Sequence, residues 1–172
     1  MIHFGLTSQD INSVAISTML DRFNQSEMSF YMNEMIGELC TFSEKNKCIF
    51  PARTHGQLAV PTRFDKEIDV FTLRIDEVWM DTIDFGFKAK FGGAVGNLSA
   101  HYLAYPDHYW TNFADAFLRK YDLDKELSTT QVANNISICK YFDQIRMINN
   151  ILINLCRDIW MYNSYGYFKQ AV

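Results

Sequence analysis

The chain has 172 residues, of which 48% are hydrophobic and 15% aromatic, enough apolar material for one globular domain with a core. Its formal net charge is −4 and no basic cluster exceeds two adjacent residues, which argues against a surface for nucleic acid. No run of 18 apolar residues and no signal-type start occurs, so we expect a soluble, cytoplasmic protein without a membrane partner.

The first predicted helix begins after Thr7-Ser8-Gln9-Asp10, where a hydroxyl cap is followed by an early acid, and it runs to about Lys45. Hydroxyl residues suit a helix N-cap, but the free N–H groups beside them can also receive a carboxylate or phosphate. Both functions can hold together if one side chain caps while the other faces a ligand. Apolar residues recur in steps of four along the helix and mark one face, at Ile11, Ala15, Met19 and Phe23, then at Met28, Met32, Ile36 and Cys40.

A polar cluster, Thr54-His55-Gly56-Gln57, follows between Pro51 and Pro61. The glycine predicts a tight turn between two long helices. An imidazole titrates near neutral pH and can pass a proton to a departing nitrogen or oxygen. A lone histidine is more often structural or simply exposed, and that alternative stays open at this point.

The second helix is predicted to start after Pro61, with Thr62 as its cap, and to fade towards Lys90. Its apolar residues follow a rhythm of three and four, at Ile68, Phe71, Ile75, Val78 and Phe85, with Thr82 at the missing step. The glycine-rich loop that follows, residues 92–97, matches no dinucleotide or P-loop pattern and predicts a turn with close backbone approach. A short helix is predicted over 107–121, with Pro106 at its start.

The last predicted helix has the clearest pattern, with steps of three and four over more than three heptads. The repeating residues are Ile138, Tyr141, Ile145, Ile148, Leu152, Leu155, Ile159 and Tyr162. Such a seam is typical of a helical bundle or of a coiled contact between subunits. Residues 129–131 (Thr-Thr-Gln) precede this helix and predict its cap. No segment alternates strictly, so the predicted fold class is all-α.

Metal and cofactor sites are not predicted. The four histidines form no His-x-x-x-His pattern and pair with no cysteine, so metal binding has no support. A Gly-x-Ser-x-Gly elbow is absent too, which leaves a hydrolase triad without support.

Several ordered motifs together resemble the adenylosuccinate lyases, a branch of the fumarase/aspartase superfamily. The resemblance covers all 172 residues and includes details of the bacterial branch at Tyr105-Pro106 and Phe168-Lys169-Gln170. The motifs that carry it, in the family's order, are Thr7-Ser8-Gln9-Asp10, Arg53-Thr54-His55-Gly56-Gln57, Lys66-Glu67, Gly93–Asn97 with Ala100-His101, Thr130-Gln131 and Arg157-Asp158-x-Trp160.

The resemblance implies a central bundle of long helices that assembles as a homotetramer, with each active site built from three subunits. The implied substrates are adenylosuccinate and SAICAR, the succinyl-carboxamide intermediate of purine synthesis. β-Elimination releases fumarate from both of them, giving AMP and AICAR, and no cofactor is implied. A base removes a proton from the succinyl Cβ while an acid protonates the departing nitrogen.

Site residues follow from the resemblance position by position. His55 is similar to the family's acid, and Thr54 flanks it. Thr7 and Ser8 resemble contacts to a succinyl carboxylate, and Gln131 resembles the glutamine that touches the substrate. Lys66 is in a matching position without a clear role.

The resemblance also implies that residues 1–172 are part of the central helical domain. The N-terminal domain, the loop with the serine base and the C-terminal domain would then lie outside them, and the chain alone would be inactive. Two departures bear on substrate contacts: Asp65 precedes Lys66, and Val132–Asn135 replaces a Glu-Pro-His-Asp segment. The alternatives are another fumarate-releasing lyase of the superfamily, and a non-catalytic oligomerisation module or truncated remnant.

Overall fold

The structure is a computed structural model that describes residues 3–169. These residues divide into two compact units, one of 3–27 with 84–142 and one of 28–83 with 143–169. The helices are α1 (Ser8–Phe23), α2 (Ser29–Lys45), α3 (Phe64–Ile83), α4 (Ser99–Ala104), α5 (Trp110–Arg119) and α6 (Ile136–Ser164). The strands are β1 (Ile49–Thr54), β2 (Gln57–Arg63), β3 (Lys88–Ala89) and β4 (Asp124–Lys125). Helices dominate, so the predicted all-α class is confirmed.

The first predicted helix is confirmed as far as Lys45, but α1 begins at Ser8, before the predicted start, and the helix has one irregularity. A π-helical turn over Asn24–Met28 joins α1 to α2. The apolar pattern steps by five residues, from Phe23 to Met28, at this place. A π turn has i→i+5 hydrogen bonds, so the five-residue step was its sequence signal.

In the first unit, the apolar stripe of α1 lies at the surface. Met19 is 70% exposed, and Ile11 and Phe23 are each 47% exposed. The core of this unit instead comes from residues after α3 and from the start of α6, namely Phe87, Ala89, Phe91, Leu98, Ala114, Leu118, Leu123, Ala133 and Tyr141, together with Val14. The buried residues of α1 are otherwise polar: Asp10, Ser13 and Ser17.

The second unit has a conventional apolar core between α2, α3, β1 and α6. Its buried members are Met32, Phe50, Phe64, Ile68, Phe71, Ile75, Trp79, Ile148, Ile151 and Leu155. Every residue of the seam predicted for the last helix is buried or half-buried, so the periodicity identified its packing face correctly. Trp160, next to the seam residue Ile159, is 70% exposed.

The prediction of no strands was wrong for residues 49–63, which form an antiparallel hairpin of β1 and β2. Only Phe50 of these strands is buried, so no alternation of apolar and polar residues is visible in the sequence. The two prolines face each other across the ladder, Pro51 opposite Pro61, and neither has an N–H to donate. Thr62 therefore lies in β2, and α3 begins only at Phe64.

Two other predicted boundaries need correction. The second predicted helix ends at Ile83 and not near Lys90. The helix predicted over 107–121 covers Trp110–Arg119, with Pro106 in the preceding loop, and the separate helix α4 lies before it. Strands β3 and β4 pair in parallel over two residues each, too few for a sequence pattern. None of the helices in residues 3–169 is long and apolar enough to cross a membrane.

The packing of α6 predicts unequal effects of one substitution at two positions. Ile148 is 2% exposed, and we expect Ile148→Ala to lower the free energy of unfolding by about 2–5 kcal/mol, measured in urea. Ile153→Ala on the same helix is the control, because Ile153 is 47% exposed, and about 0.5 kcal/mol or less is expected. Equal losses would show that this exposed side of α6 is covered in solution.

Candidate functional site

His55 lies at the tip of the β1–β2 hairpin. His55 and Gly56 have φ angles of 51° and 75°, the pair of left-handed conformations that defines a type I′ turn. Glycine adopts this conformation without steric cost, but His55 has a Cβ and is strained in it. The turn holds the imidazole in solvent, away from the apolar core.

A hydrogen bond links the two predicted site residues of this turn. Thr54 Oγ1 lies 2.9 Å from His55 Nδ1, and both side chains are exposed. When the imidazole is protonated, Nδ1–H donates to the threonine oxygen and Nε2–H points away from it, free to protonate a ligand. The structure therefore holds Thr54 and His55 together as one hydrogen-bonded pair.

Arg53 precedes them and contacts three groups. Its Nη1 donates to Gly56 O at 3.0 Å, and its Nε donates to Tyr167 Oη at 3.0 Å. The guanidinium carbon also lies 4.0 Å from the centre of the Tyr165 ring. The turn that carries His55 is thus attached to the segment after α6.

In the first unit, Thr7 is the N-cap of α1, as predicted, and Asp10 completes a capping box with it. Asp10 Oδ2 accepts from the Thr7 N–H at 2.8 Å and from the Thr7 hydroxyl at 3.0 Å. The proton of the Thr7 hydroxyl is therefore committed to Asp10. Ser8 is exposed, and its hydroxyl has no hydrogen-bond partner within residues 3–169.

Asp10 also forms a fully buried ion pair with Lys90. Lys90 Nζ donates to Asp10 Oδ1 at 2.6 Å and to Gly93 O at 2.8 Å. The N–H groups of Gly92 and Gly93 donate to the same carboxylate oxygen at 2.8 and 3.1 Å. Burial alone would raise the pKa of Asp10, but the hydrogen bonds from Lys90, Gly92, Thr7 and Gly93 outweigh it and lower the pKa from 3.8 to about 2.

The glycine-rich loop makes the close backbone approach that its sequence predicted. Gly96 has a φ of 82°, and a Cβ at this position would lie 2.0 Å from Thr129 O. At its other end, the loop donates to Asp10 through Gly92 and Gly93. It therefore connects the segment of Thr7 and Ser8 with the segment of residues 129–131.

The prediction that residues 129–131 cap the last helix was wrong, because α6 begins at Ile136. The carboxylate of Glu126 accepts from the N–H groups of Asn134 and Asn135 at 2.8 and 3.2 Å, just before that start. An anion at a helix N-terminus is favourable, so Glu126 takes the capping role. Gln131 is left exposed in the loop.

His101 is the buried histidine of the first unit, 2% exposed, with its ring centre 4.8 Å from that of Trp110. Burial lowers its pKa below 6.5, so the ring is neutral at pH 7. Gly5 lies against this ring, where a Cβ would approach to 2.6 Å. His101 is a packing residue beneath the segment that leads to Thr7. No group of three or more histidine, cysteine or acidic side chains in residues 3–169 could hold a metal ion.

The structure brings Thr54 and His55 together in the second unit, while Thr7, Ser8 and Gln131 belong to the first unit. The sequence interpretation missed the roles of Asp10 and Lys90. Asp10 was noted only as an early helix acid, and a signal was available in the polar residues 10, 13 and 17. Their spacing of three and four puts them on one helical face.

Known proteins are similar to this chain in sequence and in structure. A family model described as a lyase matches residues 1–172. The chain belongs to this lyase family. A solved fumarate lyase from Mesorhizobium sp. BNC1 has a TM-score of 0.77 to the chain at 19% identity, covering 93% of this chain and 37% of that one. This likeness confirms the predicted fold of the fumarase/aspartase superfamily.

Relatives of this chain carry a more specific name. An adenylosuccinate lyase of Dictyostelium discoideum is 40% identical over 99% of this chain, and one of Legionella pneumophila (strain Corby) is 35% identical over 98%. One of Escherichia coli (strain K12) is 32% identical over 98%. The predicted resemblance to the adenylosuccinate lyases is confirmed. The chain spans 37–38% of the length of these relatives.

The buried ion pair predicts a large loss of stability on a small change. Asp10→Asn keeps the size of the side chain but leaves the Lys90 ammonium buried without a countercharge. We expect it to lower the free energy of unfolding by about 3–5 kcal/mol, measured in urea. Asp115→Asn is the matched control, because Asp115 is 39% exposed in its pair with Lys125, and about 1 kcal/mol or less is expected.

The acid dependence of stability follows from the same carboxylate. Since folding lowers the pKa of Asp10 from 3.8 to about 2, its stabilisation is complete above 3.8 and is lost as the pH falls towards 2. Linkage gives this contribution as about 2 kcal/mol. Asp10→Asn should lack this part of the acid-induced loss. An acid unfolding curve with the wild-type slope in that variant would contradict the assignment.

Proposed function

We propose that this chain is a segment of an adenylosuccinate lyase that releases fumarate from adenylosuccinate and from SAICAR. The observation that carries the proposal is the exposed His55 at a strained turn, with Nδ1 hydrogen-bonded to Thr54 and Nε2 without a hydrogen-bond partner in residues 3–169. The identity of 32–40% to adenylosuccinate lyases over nearly all of the chain supports it. The hydrogen-bonded pair supplies an oriented proton donor, which elimination at a carbon–nitrogen bond requires.

In the proposed reaction, a base takes the proton from the succinyl Cβ and the carbon–nitrogen bond breaks. The electron pair of that bond goes to the nitrogen, and His55 Nε2–H protonates it. The imidazole is then neutral and keeps its remaining proton on Nδ1, which donates a hydrogen bond to Thr54 Oγ1. The resemblance gives the role of the base to a serine outside residues 1–172, so we expect no fumarate release from the chain alone.

The structure refines the proposed substrate contacts at α1. Since the Thr7 hydroxyl donates its proton to Asp10, Ser8 is the hydroxyl that can donate to a succinyl carboxylate. Thr7 then acts by holding the start of α1 in place. Gln131, exposed on its loop, is proposed as a further substrate contact. Lys66 Nζ donates to Glu67 Oε1 at 3.0 Å, and we give Lys66 no role in the reaction.

A homotetramer through the long helices is part of the proposal. Exposed apolar side chains on α1 and α6 support it, including Met19, Phe23, Phe142 and Trp160. Each is a large hydrophobic residue that a partner helix could cover. We expect the assembled enzyme in the cytoplasm.

Replacement of His55 tests the function most directly. We would place the chain in the Dictyostelium discoideum relative in exchange for its matching segment, and call this the chimera. His55→Ala should lower kcat for fumarate release from adenylosuccinate by about 10²–10⁴-fold, because the departing nitrogen loses its acid. His108→Ala is the control, since His108 is exposed and lies in the other unit.

The outcome separates the proposal from its alternatives. Unchanged fumarate release in His55→Ala would reject His55 as the acid and favour the oligomerisation module. A wild-type chimera that releases fumarate from argininosuccinate and not from adenylosuccinate would favour another lyase of the superfamily.

Substrate binding at α1 predicts a difference between its two hydroxyl residues. In the chimera, Ser8→Ala should raise KM by about tenfold or more through loss of a hydrogen bond to a charged group, with stability unchanged. Thr7→Val, in contrast, should lower the thermal stability, because it removes the hydrogen bond from the Thr7 hydroxyl to Asp10. A Ser8→Ala enzyme with the wild-type KM would rule out the proposed contact.

A further inference from the structure

We propose that Arg53 is a positioning residue, which fixes the turn of His55 by clamping it to the capped end of α6. The inference rests on the proposed function, since it gives Arg53 its task through His55. It deepens that function by naming what holds the acid in place.

The clamp uses the whole guanidinium group. The group donates from Nη1 to Gly56 O and from Nε to Tyr167 Oη, each at 3.0 Å. The face of the group lies over the Tyr165 ring, 4.0 Å from its centre. A planar cation that donates at its edge and stacks on its face has little freedom left. Lysine has the same charge but a single ammonium, which cannot make this set of contacts.

Tyr167, which accepts a hydrogen bond from Arg53, is itself held in place. The N–H of Tyr167 donates to Tyr162 O at 3.0 Å, across Gly166 with its φ of 73°, as in a Schellman cap of a helix. The Tyr167 ring also packs against Phe50 of β1, with 5.5 Å between ring centres. Tyr167 therefore connects the core of the second unit to Arg53.

The turn needs such an external restraint. His55 is a non-glycine residue in the left-handed region, at the exposed tip of a two-stranded hairpin, and an isolated hairpin is only marginally stable in water. Gly56 directly follows His55 in the turn, so the bond from Arg53 to Gly56 O restrains the backbone beside the residue that carries the imidazole. A small displacement of a reacting group can lower the rate by about a hundredfold.

The test combines an activity readout with a structural one. In the chimera, Arg53→Lys should lower kcat by about 10- to 100-fold while KM stays within about twofold, because the substrate contacts are unchanged. Amide hydrogen exchange over residues 53–58, measured by mass spectrometry on the chain and on the chimera, should become faster. Tyr167→Phe and Tyr165→Leu should act in the same direction with smaller effects.

Two substitutions serve as controls. Tyr165→Phe keeps the ring under the guanidinium and should leave kcat and exchange unchanged. Arg146→Lys is the same substitution at an exposed ion pair on α6. It should also leave kcat and the hydrogen exchange of residues 53–58 unchanged.

The outcomes distinguish failure of the clamp from failure of the function. Exchange at 53–58 that stays at the wild-type rate in Arg53→Lys would overturn the clamp, whatever the activity. Faster exchange with unchanged kcat, in an enzyme that His55→Ala inactivates, would overturn its role in positioning and leave the proposed function intact. Full activity in His55→Ala would reject the function, and the inference with it.

Discussion

The buried ion pair of Asp10 and Lys90 is the interaction on which the first unit depends. Both side chains are 0% exposed, and burial of two charges is costly unless their remaining hydrogen-bonding capacity is met. It is met here by N–H groups of Thr7, Gly92 and Gly93 and by the carbonyl of Gly93. The pair therefore holds two pieces of irregular backbone, the segment before α1 and the glycine-rich loop.

In the second unit, surface contacts rather than a buried ion pair restrain the turn that carries His55. Its hairpin has one buried residue, Phe50, and ends in a strained turn that has no core beneath it. Surface contacts of Arg53 restrain this turn, and the aromatic residues that receive them extend from the apolar core. Exposed contacts of this kind contribute little stability, but they can still select one conformation of the side chain that they hold. Stability and positioning are thus supplied by separate groups.

Sequence periodicity predicted the helices well because their packed faces repeat regularly. Ile148 and Leu155 of α6 and Ile75 of α3 are buried as their spacing implied. The hairpin escaped prediction because its strands are largely exposed and carry prolines, so tertiary context rather than alternation makes them strands. Of the candidate site, the turn of His55 and the cap at Thr7 could be predicted. The contacts that hold them join residues far apart in sequence, which periodicity does not show.

Helix α1 shows why an apolar stripe does not identify the buried side of a helix. Its stripe through Met19 lies at the surface, and its inner face is polar. That face meets an extended segment whose peptide groups need partners: Ser17 Oγ donates to Lys88 O, and Ser13 Oγ accepts from the Lys90 N–H, both at 2.9 Å. A buried strand without a complete sheet must find such partners in side chains. The polar residues of α1 therefore act as the missing neighbour strand, which leaves its apolar stripe free to contact a partner.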